Sequence, residues 1–256
     1  MLSVVAAVNN ETIFNENLGK SQLLKNSELA LYKQYDYRSA ALAYNDGLKK
    51  CLSDIVIFAH QDVYFPKDWE RQLMDNVRYL EQEDPNWAVL GLYGIKGNGM
   101  HVGQVWSSGL NKLLGATLER PEKVVSIDEL VIILNVKSGI RFDDNMPGFH
   151  LYGTDIVQMA LAVGKTCYVI NAPVIHNSKS VLFLDKNYYR AYFFLQRKWR
   201  LILPIQNCIL TIDNGSLAFW ERRIKDFIKS IFSRLKRRSD FVTKSAVRKA
   251  CDLGFE

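Results

Sequence analysis

Three observations predict an α/β fold with a mostly parallel, doubly wound sheet and helices on both faces. Apolar, β-branched runs alternate with amphipathic segments from the first residues onward. The runs are apolar on both sides, as strands buried between two helical layers must be. The strongest of them, Ile55 to Ala59, stops abruptly at His60, Gln61 and Asp62, and the carboxyl ends of strands in an open α/β sheet are where ligands bind.

Each element follows from a local pattern. Leu2 to Val8 is the first strand, with no basic segment ahead of it that would suggest a signal peptide. Asn9-Asn10-Glu11 is a polar loop at its carboxyl end, and 15–21 is a loop or short helix. Glu28 to Gln34 is the second strand, ending at Tyr35-Asp36. Ser39 to Leu52 is a helix with Ala40, Ala41, Ala43, Tyr44, Leu48 and Leu52 on its apolar side. The third strand is the Ile55–Ala59 run. Pro66-Lys67-Asp68-Trp69 opens a helix that runs to about Glu83, with Trp69, Leu73, Val77 and Leu80 on one stripe. Trp87 to Tyr93 is a strand. The glycines between Gly94 and Gly103 do not form a G-x-G-x-x-G opening a helix, so no dinucleotide fingerprint is read there. Val102 to Trp106, Val124 to Ile127 and Leu130 to Leu134 are short strands. After the polar junction from Arg141 to His150, a helix spans Thr154 to Val163, with Thr154 as its cap and Asp155 in its first turn. Thr166 to Ile170 is a strand, His176 ends another short run, and Asp185 to Leu203 is an aromatic-rich helix.

Composition bounds the rest. At 256 residues, 48% apolar and with six prolines, the chain suits one large domain rather than a disordered polymer. Cys51, Cys167, Cys208 and Cys251 are far apart in sequence. They suggest neither a zinc knuckle nor a disulfide scaffold, and reduced, cytoplasmic thiols are the simplest account. No run reaches membrane-spanning length. Residues 1–215 carry 22 basic and 22 acidic side chains, whereas 216–250 carry 11 and 3. The basicity therefore belongs to a tail, and the chain divides into a body (1–213) and a basic amphipathic tail (214–256) at the turn residues Asp213-Asn214-Gly215.

Three polar clusters stand beside strand ends or helix starts: His60-Gln61-Asp62, His150 with Asp155, and His176. Singly each has a plain structural explanation, such as a carboxylate favoured by a helix dipole or a satisfied imidazole. Jointly, a carboxylate and an imidazole at strand ends can hold a divalent cation, and the cation can hold a phosphate.

The joint pattern resembles glycosyltransferases of the GT-A fold, in the family 2-like group typified by the streptomycin-biosynthesis glycosyltransferase domain. The resemblance rests on Ile57-Phe58-Ala59-His60-Gln61-Asp62-Val63, Ala43-Tyr44-Asn45-Asp46-Gly47-Leu48 and Gly148-Phe149-His150-Leu151-Tyr152-Gly153-Thr154-Asp155. Ala172-Pro173-Val174-Ile175-His176-Asn177-Ser178 and Lys198-Trp199 extend it. It implies transfer of a sugar from a nucleotide-sugar donor, a UDP-sugar first, to a hydroxyl of a saccharide or lipid-linked saccharide, with inversion. It also implies Mn²⁺ or Mg²⁺ on Asp62 and His176, with Asp155 as general base. Asn9, Asn10, Glu11, Asp36, Asn45 and Gln61 would meet the nucleotide, and His60 and His150 would contact acceptor or phosphate. Two departures are visible. His60 replaces the first acid of the Asp-x-Asp motif, and Thr154 replaces the Glu of the usual Glu-Asp pair. These departures support an alternative: a non-catalytic nucleotide-sugar-binding module that recruits a partner or membrane.

Ser216 to Arg238 reads as an amphipathic helix, with Leu217, Trp220, Ile224, Phe227, Ile228, Ile231 and Leu235 on one stripe and Lys/Arg around it. Such a helix can lie in the headgroup layer of an anionic membrane. That would place the protein in the cytoplasm, peripheral to the inner face of the plasma membrane. The competing expectation is that the stripe docks on the body or on a partner subunit. Nucleic acid ranks low, because the tail has no recognised binding motif.

Overall fold

In a computed structural model, the described residues are 2–25, 28–179, 183–215, 219–225 and 245–256. Their strands are β1 (Leu2–Ala7), β2 (Ala30–Gln34), β3 (Ile55–His60), β4 (Val63–Tyr64), β5 (Trp87–Gly91), β6 (Tyr93–Ile95), β7 (His101–Ser107), β8 (Lys112–Gly115), β9 (Glu122–Lys123), β10 (Ser126–Ile127), β11 (Val131–Asn135), β12 (Thr166–Val169) and β13 (Val174–His176). Five of the helices are α1 (Glu11–Glu16), α2 (Ala40–Lys50), α3 (Trp69–Glu83), α4 (Tyr152–Ala162) and α5 (Lys186–Lys198).

The main sheet has the order β2-β1-β3-β11-β5-β12-β9. β1 pairs in parallel with both β2 and β3, and β12 pairs in parallel with β5. β11 runs antiparallel between β3 and β5, and β9 runs antiparallel on the far edge. Five of the seven strands therefore point the same way, which is the α/β architecture expected. A second sheet, β10-β6-β7-β13-β4 with β8 on β7, carries the later segments. The glycine-rich stretch from Gly94 to Gly103 lies in the β6–β7 hairpin of this sheet.

The pleat of β3 explains the layers. Val56 and Phe58 face one apolar cluster with Tyr44 of α2, Tyr152 and Ile156 of α4, and Tyr188 and Tyr192 of α5. Ile55, Ile57 and Ala59 face another, with the Trp69, Leu73, Val77 and Leu80 stripe of α3 and with Val105 and Val174 from the second sheet.

Two expectations change. α4 starts at Tyr152, two residues before the expected cap. Its N-cap is Leu151, in a left-handed conformation (φ 63°) and without a side-chain cap bond. Thr154 lies inside the helix and its hydroxyl bonds Ser126 at 2.8 Å. The tail helix falls mostly on 216–218 and 226–238, outside the described residues. Residues 219–225 are helical, and there Phe219 packs on Tyr189, Tyr192 and Phe193 of α5. The stripe residues Trp220 and Ile224 face solvent. A further short helix, Ala246–Asp252, buries Ala246 and Ala250 against Tyr64, Trp106 and Ile175. The Tyr64 hydroxyl donates to the Glu256 carboxylate.

Candidate metal and nucleotide site

β3 delivers His60 at its last position, because buried strands end where the apolar run ends. Asp62 follows in the tight link into β4. β4 pairs antiparallel with β13 so that His176 lies opposite Val63. The Asn177 amide donates to the Asp62 carbonyl oxygen at 2.8 Å and locks this link. One ligand atom each from His60, Asp62 and His176 lie within 4.8 Å of one another. The cluster straddles two sheets: His60 ends β3 of the main one, His176 ends β13 of the second, and Asp62 lies in the link between β3 and β4.

Hydrogen bonds orient the cluster. Tyr152 at the start of α4 donates its hydroxyl hydrogen to the Glu129 carbonyl oxygen at 3.1 Å, and its oxygen lies 2.7 Å from His60 Nε2. A Tyr152 hydroxyl that gives its hydrogen to Glu129 can only accept from His60, and the tautomer that donates from Nε2 leaves the Nδ1 lone pair for a cation. His176 Nε2 stands 3.5 Å from Asp62 Oδ1.

The electrostatics agree with a cation-binding role. Burial acts to raise the Asp62 carboxyl, but the His176 and His60 imidazoles outweigh it and hold the carboxyl well below the usual range. Burial lowers His60. His176 is opposed by burial yet raised on balance by the Asp62 carboxylate. Two imidazoles and one carboxylate that stays ionised are a fitting donor set for a borderline divalent ion, and the nitrogens favour Mn²⁺ over Mg²⁺. His60, expected only as an acceptor or phosphate contact, joins the metal cluster here.

The nucleotide candidates divide into two groups. Gln61 ties the end of β3 to the end of β1. Its Oε1 accepts the Asn9 and Asn10 amides at 3.1 and 3.0 Å, and its Nε2 donates to Asn9 Oδ1 at 2.6 Å. The 9–10 loop thus sits beside the cluster. Asn10 caps α1 through the Ile13 amide. Glu11 engages Lys33 and Tyr35, whose hydrogen bonds hold its carboxyl low. Asp36 is exposed, with φ 59°. Asn45 is a different case. It is buried, its amide nitrogen donates to Phe142 O and Asp144 Oδ1, and its oxygen accepts the Phe142 amide. Both amide hydrogens and one oxygen lone pair are thus spent on the 141–150 loop, which makes Asn45 a clamp on that loop.

Asp155 differs most from expectation. It is 2% exposed. Oδ2 accepts from Lys198 Nζ at 2.7 Å and Oδ1 from Trp199 Nε1 at 2.8 Å. Lys198 also pairs with Asp143 at 2.7 Å. Burial raises the Asp155 carboxyl despite Lys198. A general base needs an oxygen within reach of the substrate proton, and here the protein's own donors take both. Lys198-Trp199 therefore marks a buried structural pairing. His150, in the loop before α4, stands 3.4 Å from Asp185 and packs on the Tyr188 ring.

Sequence reasoning missed Asp128 and Glu129 altogether. Asp128 raises the His60 and His176 imidazoles, and Glu129 faces the main-chain amides of Leu151 and Gly153 at the start of α4. No periodicity links residue 129 to residue 153, so only the fold brings them together.

No family model matches the chain. One curated protein, "ATP synthase subunits region ORF 6" of Fuscovulum blasticum, is 27% identical over 173 residues, covering 63% of this chain and 67% of its own. Among solved structures, the mannosyltransferase PcManGT from Pyrobaculum calidifontis, in complex with GDP-Man and Mn²⁺, is 13% identical with a TM-score of 0.49. It covers 80% of this chain and 65% of that one. GalNAc-T7 with UDP, GalNAc and Mn²⁺ is 11% identical with a TM-score of 0.46, covering 89% and 54%. S. aureus TarS 1-349 is 13% identical with a TM-score of 0.46, covering 77% and 64%. The chain spans less than two thirds of the length of each of these three solved structures.

Proposed function

We propose that the chain is a metal-dependent glycosyltransferase of the GT-A type that moves a sugar from a nucleoside-diphosphate donor to a hydroxyl acceptor with inversion. The observation that carries this reading is the His60–Asp62–His176 cluster at the carboxyl end of β3, joined through Gln61 to the loop after β1. Carboxyl ends of neighbouring parallel strands are where an α/β sheet receives a nucleotide. Asp62, His176 and His60 would hold Mn²⁺ or Mg²⁺, and the ion would supply positive charge to offset that of the departing diphosphate. Asn9 and Asn10, fixed by Gln61, and the exposed Glu11 and Asp36 line the approach for base and ribose. A UDP-sugar donor and a saccharide or lipid-linked saccharide acceptor complete the proposal.

Isothermal titration of UDP and GDP, with and without MnCl₂, tests it. Wild type should bind only with the metal, and Asp62→Ala should lose at least tenfold in affinity. Metal-independent binding, or an unaffected Asp62→Ala, removes the reading.

The exposed Trp220 and Ile224, beside Arg222, Arg223 and Lys225, support docking of the tail on an anionic membrane at the inner face of the plasma membrane. A second reading has its own support. With Asp155 sealed by Lys198 and Trp199, the fold could bind nucleotide sugars without transferring them. In that case nucleotide binding persists without turnover over a broad acceptor panel.

A further inference from the structure

We propose that Glu129, rather than Asp155, is the residue that takes the proton from the acceptor hydroxyl, an assignment that rests on the glycosyl-transfer reading above. Three observations place it. First, its carboxyl stands at the first turn of α4, where the Leu151 and Gly153 amides face it. Second, position 153 has no side chain and has no room for one. A Cβ there would meet the Ile127 carbonyl oxygen at 2.8 Å and Glu129 Cγ at 3.2 Å. The carboxyl that the helix start lacks is thus supplied from the segment before β11. Third, residue 129 lies close to the metal cluster: its main-chain carbonyl oxygen accepts from the Tyr152 hydroxyl, whose oxygen lies 2.7 Å from His60 Nε2. Glu129 is half-buried and lines a small cavity with Asp128, Thr154, Asn207 and Cys208. Asp155, itself in the first turn of α4, is sealed.

The step balances as follows. A lone pair on the acceptor oxygen forms the bond to the anomeric carbon. The bond from that carbon to the diphosphate oxygen breaks, and its electron pair leaves with the diphosphate. The hydroxyl proton passes to a Glu129 carboxylate oxygen. Burial first, and then the Asp128 carboxylate, push the Glu129 carboxyl up to about 8, against the pull of the helix amides. A base with a pKa near the working pH is well matched to this task. The titratable groups around it are Asp128, Tyr44 of α2, Tyr152 of α4, Tyr188 of α5 and Cys208 in the segment after α5.

The test uses the full chain with MnCl₂ and a panel of UDP- and GDP-hexoses, reading release of UDP or GDP with water or saccharides as acceptor. Glu129→Gln keeps the shape, so at pH 5, where the folded wild type still holds its proton, it should melt within a few degrees of wild type, and it should bind UDP or GDP with unchanged affinity. Its turnover should fall about 100-fold or more, and the rise of rate with pH toward 8 should vanish. Glu129→Asp should recover part of the rate. Turnover of Glu129→Gln at the wild-type rate overturns the proposal, as does a loss that leaves the pH profile in place, since a residue that merely caps α4 would behave that way. Failure of the glycosyl-transfer reading is distinguishable, because then wild type itself neither binds nucleotide with Mn²⁺ nor releases it from any donor.

Discussion

His60 reaches the cluster through one tyrosine, and that dependence can be measured. Tyr152 is buried, and its hydroxyl bridges His60 and the Glu129 backbone. Tyr152→Phe keeps the ring packing and removes the bridge, so the imidazole loses its fixed tautomer. Mn²⁺ affinity by calorimetry should drop about 10–100-fold, as when an outer partner of a metal-bound histidine is lost. Glu129 makes a separate prediction for folding. The folded chain holds its proton up to about 8, whereas the unfolded chain releases it at the ordinary value of 4.5. Between those values the unfolded chain binds fewer protons, so stability falls as pH rises across that window and levels off above it. Urea melts at pH 5 and pH 8.5 should show a smaller gap for Glu129→Gln than for wild type; an equal gap would assign the penalty to another group. At this scale the place of the cluster was legible, because an apolar run that breaks into His-Gln-Asp is visible in one dimension, whereas His60 was expected only as an acceptor or phosphate contact and His176 came from the resemblance. Glu129 was not, because its meaning comes from amides more than twenty residues away. Asn45 misled for the converse reason: a polar residue on a helix cannot announce that its partners are protein atoms.

α4 and α5 are tied by an ion pair rather than by apolar contact alone. Lys198 lies between Asp143 and Asp155, and Trp199 completes the set. Removing the ammonium leaves two carboxylates facing one another, one of them fully buried. Lys198→Met should cost about 3 kcal/mol in chemical denaturation. Adding Asp155→Asn should restore part of that loss, because the two residues share one interaction. Gly153→Ala should also destabilise, by about 1–3 kcal/mol, since the obstructing Ile127 carbonyl belongs to the backbone and cannot swing away. Periodicity revealed α2, α3 and α5 because each shows a continuous apolar stripe. It misplaced the start of α4 because that cap is a left-handed leucine with no side-chain acceptor. It also missed β4, which is two residues long and too short to show alternation. That the β3 neighbour β11 runs antiparallel is equally invisible, since a strand buried on both faces reads alike in either direction.

For the whole molecule, the described parts of 214–256 are attached at two places, Phe219 on α5 and Ala246–Ala250 on β4 and β13. Neither anchor belongs to the stripe whose docking on the body was the competing expectation, and the described stripe residues, Trp220 and Ile224, stay outward. Each basic side chain near an anionic bilayer contributes about 1 kcal/mol. Arg222→Ser with Arg223→Ser should therefore weaken partition onto phosphatidylserine vesicles roughly tenfold or more. Unchanged flotation would assign the exposed face to another surface.

Because His60 ends a strand of one sheet, His176 ends a strand of the other and Asp62 lies in the link between the two, a captured ion would rivet the sheets across their seam. Hydrogen–deuterium exchange should then slow in concert at the His60 amide, bonded to Leu130, and at the Asn177 amide, bonded to Asp62. Protection in α5, which carries none of the three ligands, would stay where it was. Such a pattern would make the ion part of the frame as well as part of the chemistry, and chelation would loosen the join before it loosened the layers.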